Sequence, residues 1–279
     1  MSEIGNIIGD SGFKFNKRYG QNFITDTNLL DAIVRDAGIS GGTVLEIGAG
    51  AGTLTAALAR AADRVVSYEI DTSLMPVLSR TLAGLDGRVE VVFRDVMKES
   101  DAAIDAAVGD DYALVANLPY YITTPVIMRF IERSNAPRAI TVMVQKEVGD
   151  RLCAAPNTAD YGAITASVAL AGSAEITRIV PRTLFYPQPK VDSCIVRISL
   201  DSRYADVDKP LVRKIIRCAF AMRRKTLVNN LMSGLSLSRE SAVRVIEGIG
   251  LDARVRGETL SVEQFVRLAG AYSDLTCKE

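Results

Sequence analysis

The chain has no histidine among its 279 residues. That absence removes the commonest side-chain general base and the commonest zinc ligand, so a serine–histidine nucleophile and a histidine-rich metal cluster are both excluded. Cysteine is scarce as well. Cys153, Cys194, Cys218 and Cys277 are widely spaced without a CxxC pair, which argues for scattered reduced thiols and against a zinc site or a disulfide framework. No basic-then-apolar segment opens the sequence, and no uncharged apolar run reaches the roughly 18–20 residues a membrane-spanning helix needs, so a soluble, cytoplasmic protein with no membrane partner is expected. Net charge is missing too: 33 Lys and Arg balance 33 Asp and Glu, so a polyanionic partner would have to be read from local distribution.

What is present is a chain 48% hydrophobic, enough for a substantial core and for two domains. An arm through about residue 25 mixes Phe13, Phe15 and Tyr19 with Lys14, Lys17 and Arg18. Leu29, Leu30, Ile33 and Val34 recur at helical spacing, with Gly38 as a stop. Apolar runs at 43–47, 64–69, 89–93, 113–117 and 139–144 then alternate with helical patterns at 52–62, 72–82, 123–131 and 145–152, the signature of a mostly parallel, doubly wound α/β sheet. Segments near 163–171 and 191–200 would add a terminal hairpin. After Leu200 the strand-like runs give way to amphipathic helices near 211–221, 225–232, 239–246 and 262–268. Domains are therefore expected over 1–200 and 201–279, the second smaller and all-helical.

Ligands of such sheets collect at the carboxyl ends of the strands. Glu46-Ile47-Gly48-Ala49-Gly50-Ala51-Gly52 follows the first strand and opens a helix; its glycines allow a tight turn and close approach of the backbone to a ligand. Glu69 ends the second strand, where an acid can accept hydrogen bonds from both ribose hydroxyls of a nucleoside. Asp95 follows the third strand and would accept from an adenine amino group while Val96 packs on the ring; an ordinary turn or N-cap aspartate is the alternative. Glu46 would order the loop as a partly buried helper. Three glycines between acids in this order are more similar to a Rossmann-like class I S-adenosylmethionine methyltransferase sheet than to a dinucleotide fold.

Asn117-Leu118-Pro119-Tyr120 comes directly after an apolar run. An exocyclic adenine amine is a poor nucleophile because its lone pair is delocalised into the ring. The Asn117 side-chain oxygen and the Leu118 carbonyl would accept its two protons and aim the lone pair at a sulfonium methyl, so positioning does the catalytic work and no histidine is needed. Pro119 stiffens the turn, and Tyr120 offers a stacking face. Tyr121 reads either as a second stacking surface or as a packing residue, and a plain Asn-Pro turn is the alternative for the whole motif.

These motifs resemble those of the ribosomal RNA adenine N6,N6-dimethyltransferases. The resemblance extends through Gln21-Asn22-Phe23-Ile24, Gln145-Lys146-Glu147, Phe185-Tyr186-Pro187-Gln188-Pro189-Lys190-Val191-Asp192-Ser193, Arg223-Arg224-Lys225-Thr226-Leu227 and Arg256-Gly257-Glu258-Thr259-Leu260-Ser261, so it spans nearly the whole chain. It implies that Asn22, Ile24, Gly48, Glu69, Asp95 and Asn117 hold S-adenosylmethionine, with Asn22 and Ile24 on an arm that closes over it; Gly50 of the glycine turn and Val96 beside Asp95 are expected at the same site. It also implies that Phe185 and Tyr120 sandwich the target base. The substrate it implies is a pair of adjacent adenosines in a loop near the 3′ end of small-subunit ribosomal RNA, dimethylated during ribosome biogenesis; nothing in the sequence demands more than a monomer. Three positions depart from the usual pattern: Ile24 in place of leucine, and Ala49 and Gly257 in place of proline. They change bulk or stiffness and remove no polar group.

From Lys209 to Arg239 there are eight basic residues, Lys209, Arg213, Lys214, Arg217, Arg223, Arg224, Lys225 and Arg239, and no acid. Such a run suits phosphate contacts, with Arg223, Arg224 and Lys225 as RNA-binding residues, although a solvated helix face would also explain it. With Lys14, Lys17 and Arg18 it would flank the cleft. Competing readings are a large-subunit RNA adenine methylase that confers antibiotic resistance, a non-catalytic RNA-binding assembly factor and a nicotinamide dehydrogenase. Titration calorimetry separates the last: saturable heat is expected with S-adenosylmethionine and none with a nicotinamide dinucleotide.

Overall fold

Runs such as Val44–Ile47, Val65–Tyr68 and Ala113–Ala116 are too evenly apolar for a sheet with one wet face; they fit strands covered by helices on both sides. In the computed structural model, which describes residues 23, 24 and 26–277, they lie at the centre of a sheet. The elements of this part of the chain are β1 (Phe23–Ile24), α1 (Thr27–Asp36), β2 (Thr43–Ile47), α2 (Thr53–Ala61), β3 (Arg64–Glu69), α3 (Met75–Thr81), β4 (Val89–Phe93), α4 (Asp101–Val108), β5 (Tyr112–Asn117), α5 (Thr123–Glu132), β6 (Ala139–Gln145), α6 (Lys146–Leu152), α7 (Ala163–Ala171), β7 (Gly172–Val180), β8 (Phe185–Tyr186) and β9 (Ser193–Leu200).

Seven strands run in the order β4-β3-β2-β5-β6-β9-β7. Neighbours from β4 through β6 pair in parallel, and β9 is antiparallel to β6. The winding direction reverses between β2 and β5, which makes their carboxyl ends the switch point where a crevice opens. Ile47 pairs with Ala116 there, so the turns after β2 and β5 leave the sheet side by side. Beneath them α1 and α2 bury Leu29, Leu30, Ile33, Leu54 and Leu58 against Val44, Val65, Ala113 and Val115. Asp26 starts α1 by accepting the Leu29 amide through Oδ1 at 2.8 Å.

Two elements differ from the sequence expectation. Residues 163–171, expected as half of a hairpin, form helix α7; the alanine-rich run favours helix, and the strand beside β9 is β7, beginning at Gly172. Helix α4 was not expected because only Ile104 and Val108 of its residues are buried, too few to show a period. Ser100 caps it by accepting the Ala103 amide, and Arg133 pairs with Asp101 and Asp105.

One compact unit runs to Gly149 and resumes at Glu175–Leu200, while the other comprises Asp150–Ala174 and the chain from Asp201. Residues 150–174, expected in the first domain, therefore belong with the helices α8 (Lys209–Ala221), α9 (Leu227–Leu235), α10 (Arg239–Gly248) and α11 (Val262–Thr276). The reason is apolar matching. Tyr161, Ala166 and Leu170 join Val212, Ile216, Leu231 and Phe265 in one buried cluster, and the Tyr161 hydroxyl donates to the Leu260 carbonyl at 2.7 Å.

Gly149, in α6, packs directly on β9: a Cβ there would lie 2.2 Å from Cys194 Sγ and 3.2 Å from Val196 Cγ2. Gly149→Ala should cost about 1–3 kcal/mol in urea unfolding, as overpacking does. Adding Cys194→Ala should recover part of that loss, and a double-mutant cycle without favourable coupling would contradict the packing.

Candidate active site

The crevice at the switch point is a cavity of about 300 Å³. Its wall includes Ile24, Gly48, Gly50, Glu69, Asp95, Val96, Asn117, Leu118, Pro119 and Tyr120, so these expected residues meet in one place. Gly48 and Gly50 have φ of +84° and +55°, conformations that favour glycine. Gly50 is also close-packed, since a Cβ on it would lie 3.1 Å from the Phe23 ring. A Cβ on Gly48 would sit 3.8 Å from the Asn117 carbonyl oxygen. The glycine turn and the Asn-Leu-Pro-Tyr turn are thus in contact distance.

Three acids support this wall in different ways. Glu46 is wholly buried, and its Oε2 accepts from Thr55 Oγ1 in α2 and Ser67 Oγ in β3, both at 2.6 Å; Oε1 has no partner. Burial pushes its carboxyl up to about 7, against the two hydroxyl bonds, with the nearby charge of Glu69 adding to the rise. Glu69 accepts the Gly50 amide on Oε2 and the Ile70 and Asp71 amides on Oε1, each at 2.8 Å. A carboxylate has about four lone-pair positions, so the expected grip on two ribose hydroxyls narrows to one direct acceptor position. Burial raises the Glu69 carboxyl, opposed by those backbone donors. Asp95 does cap a turn, its Oδ1 accepting the Met97 amide at 3.0 Å. It lines the cavity as well, so the N-cap reading and the ligand reading are compatible.

On the other side of the crevice the Tyr120 hydroxyl is 3.1 Å from Ser193 Oγ at the start of β9. That bond orients the ring, and burial raises the phenol. Tyr121 is 63% exposed at the rim, which removes the packing alternative for it. Phe185 is placed otherwise than expected. Its pairing with Ile24 in the β1–β8 ladder turns it into the apolar cluster with Leu29 and Ile195, 6% exposed, and it is not part of the cavity wall. This arrangement forms no Tyr120–Phe185 sandwich.

In the helical unit Lys214, Arg217, Arg223, Arg224, Lys225 and Arg239 are exposed. Arg213 is buried within α8 and so leaves the expected basic face. Arg223 Nη2 donates to the Ala159 carbonyl at 3.0 Å, which gives it a structural task. Asn22, Lys14, Lys17 and Arg18 lie outside the described residues. Phe23, Tyr68 and Ser193 were given no role from the sequence, because an aromatic or a serine carries no signal of its own; Phe23 and Ser193 were quoted only as parts of longer motifs.

The wall fits a nucleoside bearing a positive charge: two carboxylates, a glycine cradle that a Cβ would crowd, and apolar faces from Ile24, Leu54 and Val96. Sheet order, switch point and glycine turn together are those of a class I S-adenosylmethionine-dependent methyltransferase. A family model described as ribosomal RNA adenine dimethylase matches residues 12–274. The ribosomal RNA small subunit methyltransferase A of Geobacillus thermodenitrificans (strain NG80-2) is 44% identical over 281 residues, covering 96% of this chain and 94% of that protein. Among solved structures, a dimethyladenosine transferase from Plasmodium falciparum superposes with a TM-score of 0.78 at 24% identity, over 90% of this chain and 98% of that one. The 23S rRNA methyltransferase ErmE gives 0.67 at 25%, over 90% and 99%. The chain belongs to the ribosomal RNA adenine dimethylase family, and it is an S-adenosylmethionine-dependent enzyme.

The Glu46 carboxyl links this site to stability. Its value is raised from 4.5 to about 7, so the neutral form is favoured in the fold. That contribution is complete below the unfolded value and is lost as pH climbs through the interval to about 7. Glu46→Gln keeps an acceptor for Thr55 and Ser67 and cannot titrate. It should flatten the decline by a few kcal/mol, at about 1.4 kcal/mol per pH unit, and parallel unfolding curves for both proteins across that interval would refute the buried-acid assignment.

Proposed function

We propose that this enzyme transfers methyl groups from S-adenosylmethionine to N6 of two adjacent adenosines in a loop near the 3′ end of small-subunit ribosomal RNA, giving N6,N6-dimethyladenosine during ribosome assembly. The observation that carries the reading is the adjacency of the Gly48 and Asn117 turns. When bound, S-adenosylmethionine supplies an electron-poor methyl on a sulfonium. Ile24, Gly48, Gly50, Glu69, Asp95 and Val96 hold it: Glu69 offers a ribose hydroxyl its remaining acceptor position, Asp95 accepts from the adenine amino group, and Val96 packs against the ring.

Asn117, through its side-chain oxygen, and the Leu118 carbonyl accept the two protons of the target amine. Both hydrogen bonds place the nitrogen and draw its lone pair out of conjugation, and Pro119 keeps the turn from drifting. No side chain has to remove a proton before attack, because the amine becomes acidic only once it is cationic. Tyr120, steadied by Ser193, stacks on the target base. A target adenosine must leave its stack to reach a cavity of this kind, so an unpaired loop is the substrate form.

Arg224 and Lys225 on the helical unit are exposed and form no ion pair with a described acid, and together with Lys214 and Arg217 they suit RNA phosphates. The form proposed is a monomer that acts on an immature subunit in the cytoplasm. Among the described residues no helix is long and apolar enough to cross a membrane.

Asn117→Ala should lower methyl transfer by a factor of about a hundred or more, the scale of lost positioning, with RNA affinity nearly unchanged; equal turnover would contradict the role. In the double variant Arg224→Ala/Lys225→Ala, log affinity against log salt should lose a slope of about two, one per phosphate contact. Labelled methyl groups should appear in isolated small subunits as dimethyladenosine. Label confined to large subunits would overturn the substrate.

A further inference from the structure

The turn at Arg94–Met97 walls one side of the cavity, yet little in its own backbone holds it. Lys98 N donates to the Asp95 carbonyl at 2.9 Å and Glu99 N to the Val96 carbonyl at 3.3 Å, a single short turn. It follows β4, the last strand on its side of the sheet, so no further strand braces it. The support comes from α5, which begins just after the Asn117–Tyr120 turn. Arg129 Nη1 donates to the Val96 carbonyl and Nη2 to the Glu99 carbonyl, and Nη2 lies 3.4 Å from Asp101 Oδ1. The side chain is only 17% exposed. A planar guanidinium can serve two carbonyls and a carboxylate at once; a lysine ammonium, as a point charge on a flexible stem, cannot reproduce that span.

We propose that Arg129 is a positioning residue for cofactor recognition: by fixing the Val96 and Glu99 carbonyls it sets the turn in which Asp95 reads the adenine amino group. The proposal rests on the assignment of Asp95 to that amino group. Arg129 is not part of the cavity wall. It acts by removing backbone freedom from a turn whose one recognition contact depends on direction. Arg133 shares Asp101 with Arg129 and also pairs with Asp105, so α4 keeps an anchor when Arg129 is replaced.

The test uses the full chain and two probes in titration calorimetry, S-adenosylhomocysteine and its analogue lacking the purine 6-amino group. The wild type should prefer the amino form by about tenfold, the worth of one good hydrogen bond. Arg129→Ala should weaken S-adenosylhomocysteine about tenfold and the analogue far less, so that the preference collapses. The KM for S-adenosylmethionine should rise with kcat largely kept, and Arg129→Lys should restore only part of the preference. If Arg129→Ala does not fold, Arg129→Lys alone carries the measurement and should show a reduced preference. Equal weakening of both probes, or a preference unchanged in the variants, would overturn the role of Arg129. A wild type without preference would instead sink the Asp95 assignment, and this proposal with it.

Discussion

Ile47 lies opposite Ala116 in the parallel ladder between β2 and β5, and the turns that follow the two strands inherit that alignment. A shift of one residue would turn every side chain of a strand to the other face of the sheet, carrying Glu46 away from Thr55 and Ser67. Both strands are covered on both faces, Val44, Leu45 and Leu114 being fully buried, so the register is held by the core and not by the turns themselves. The glycine turn can then remain open to a ligand, because the sheet beneath it supplies the rigidity.

Charge in the site is arranged around carboxylates of unequal character. Glu46 is sealed away and tends to neutrality. Glu69 spends most of its acceptor capacity on three backbone amides that shape the loop it belongs to. Asp95 divides its attention between capping a turn and facing the cavity. The chain lacks histidine, and the proposed reaction needs direction more than basicity.

The five parallel strands and most of the helices were legible because each is long enough, or periodic enough, to show its burial in one dimension. Alanine-rich α7 and weakly amphipathic α4 were not, since neither has a clear apolar face and each is settled by what lies against it: the C-terminal helices for one, Arg133 for the other. The site followed the same division. Glycines, acids and the Asn-Leu-Pro-Tyr turn were readable as types at strand ends. Phe185 and Arg213 were readable as an aromatic in a proline-rich segment and a cation in a basic run, and both are buried, which local composition cannot reveal.

By itself the amino-acid sequence determined the doubly wound class, the residues at the carboxyl ends of its strands and the exclusion of histidine chemistry, because alternation of apolar runs and the chemical type of each side chain are properties of the chain in one dimension. Tertiary structure alone decided which of those residues share a wall, how many acceptor positions Glu69 has left, and that the Arg129 guanidinium, carried by α5, braces the loop after β4. Those are matters of distance and direction between segments far apart in sequence, set only when the sheet and its covering helices close on one another.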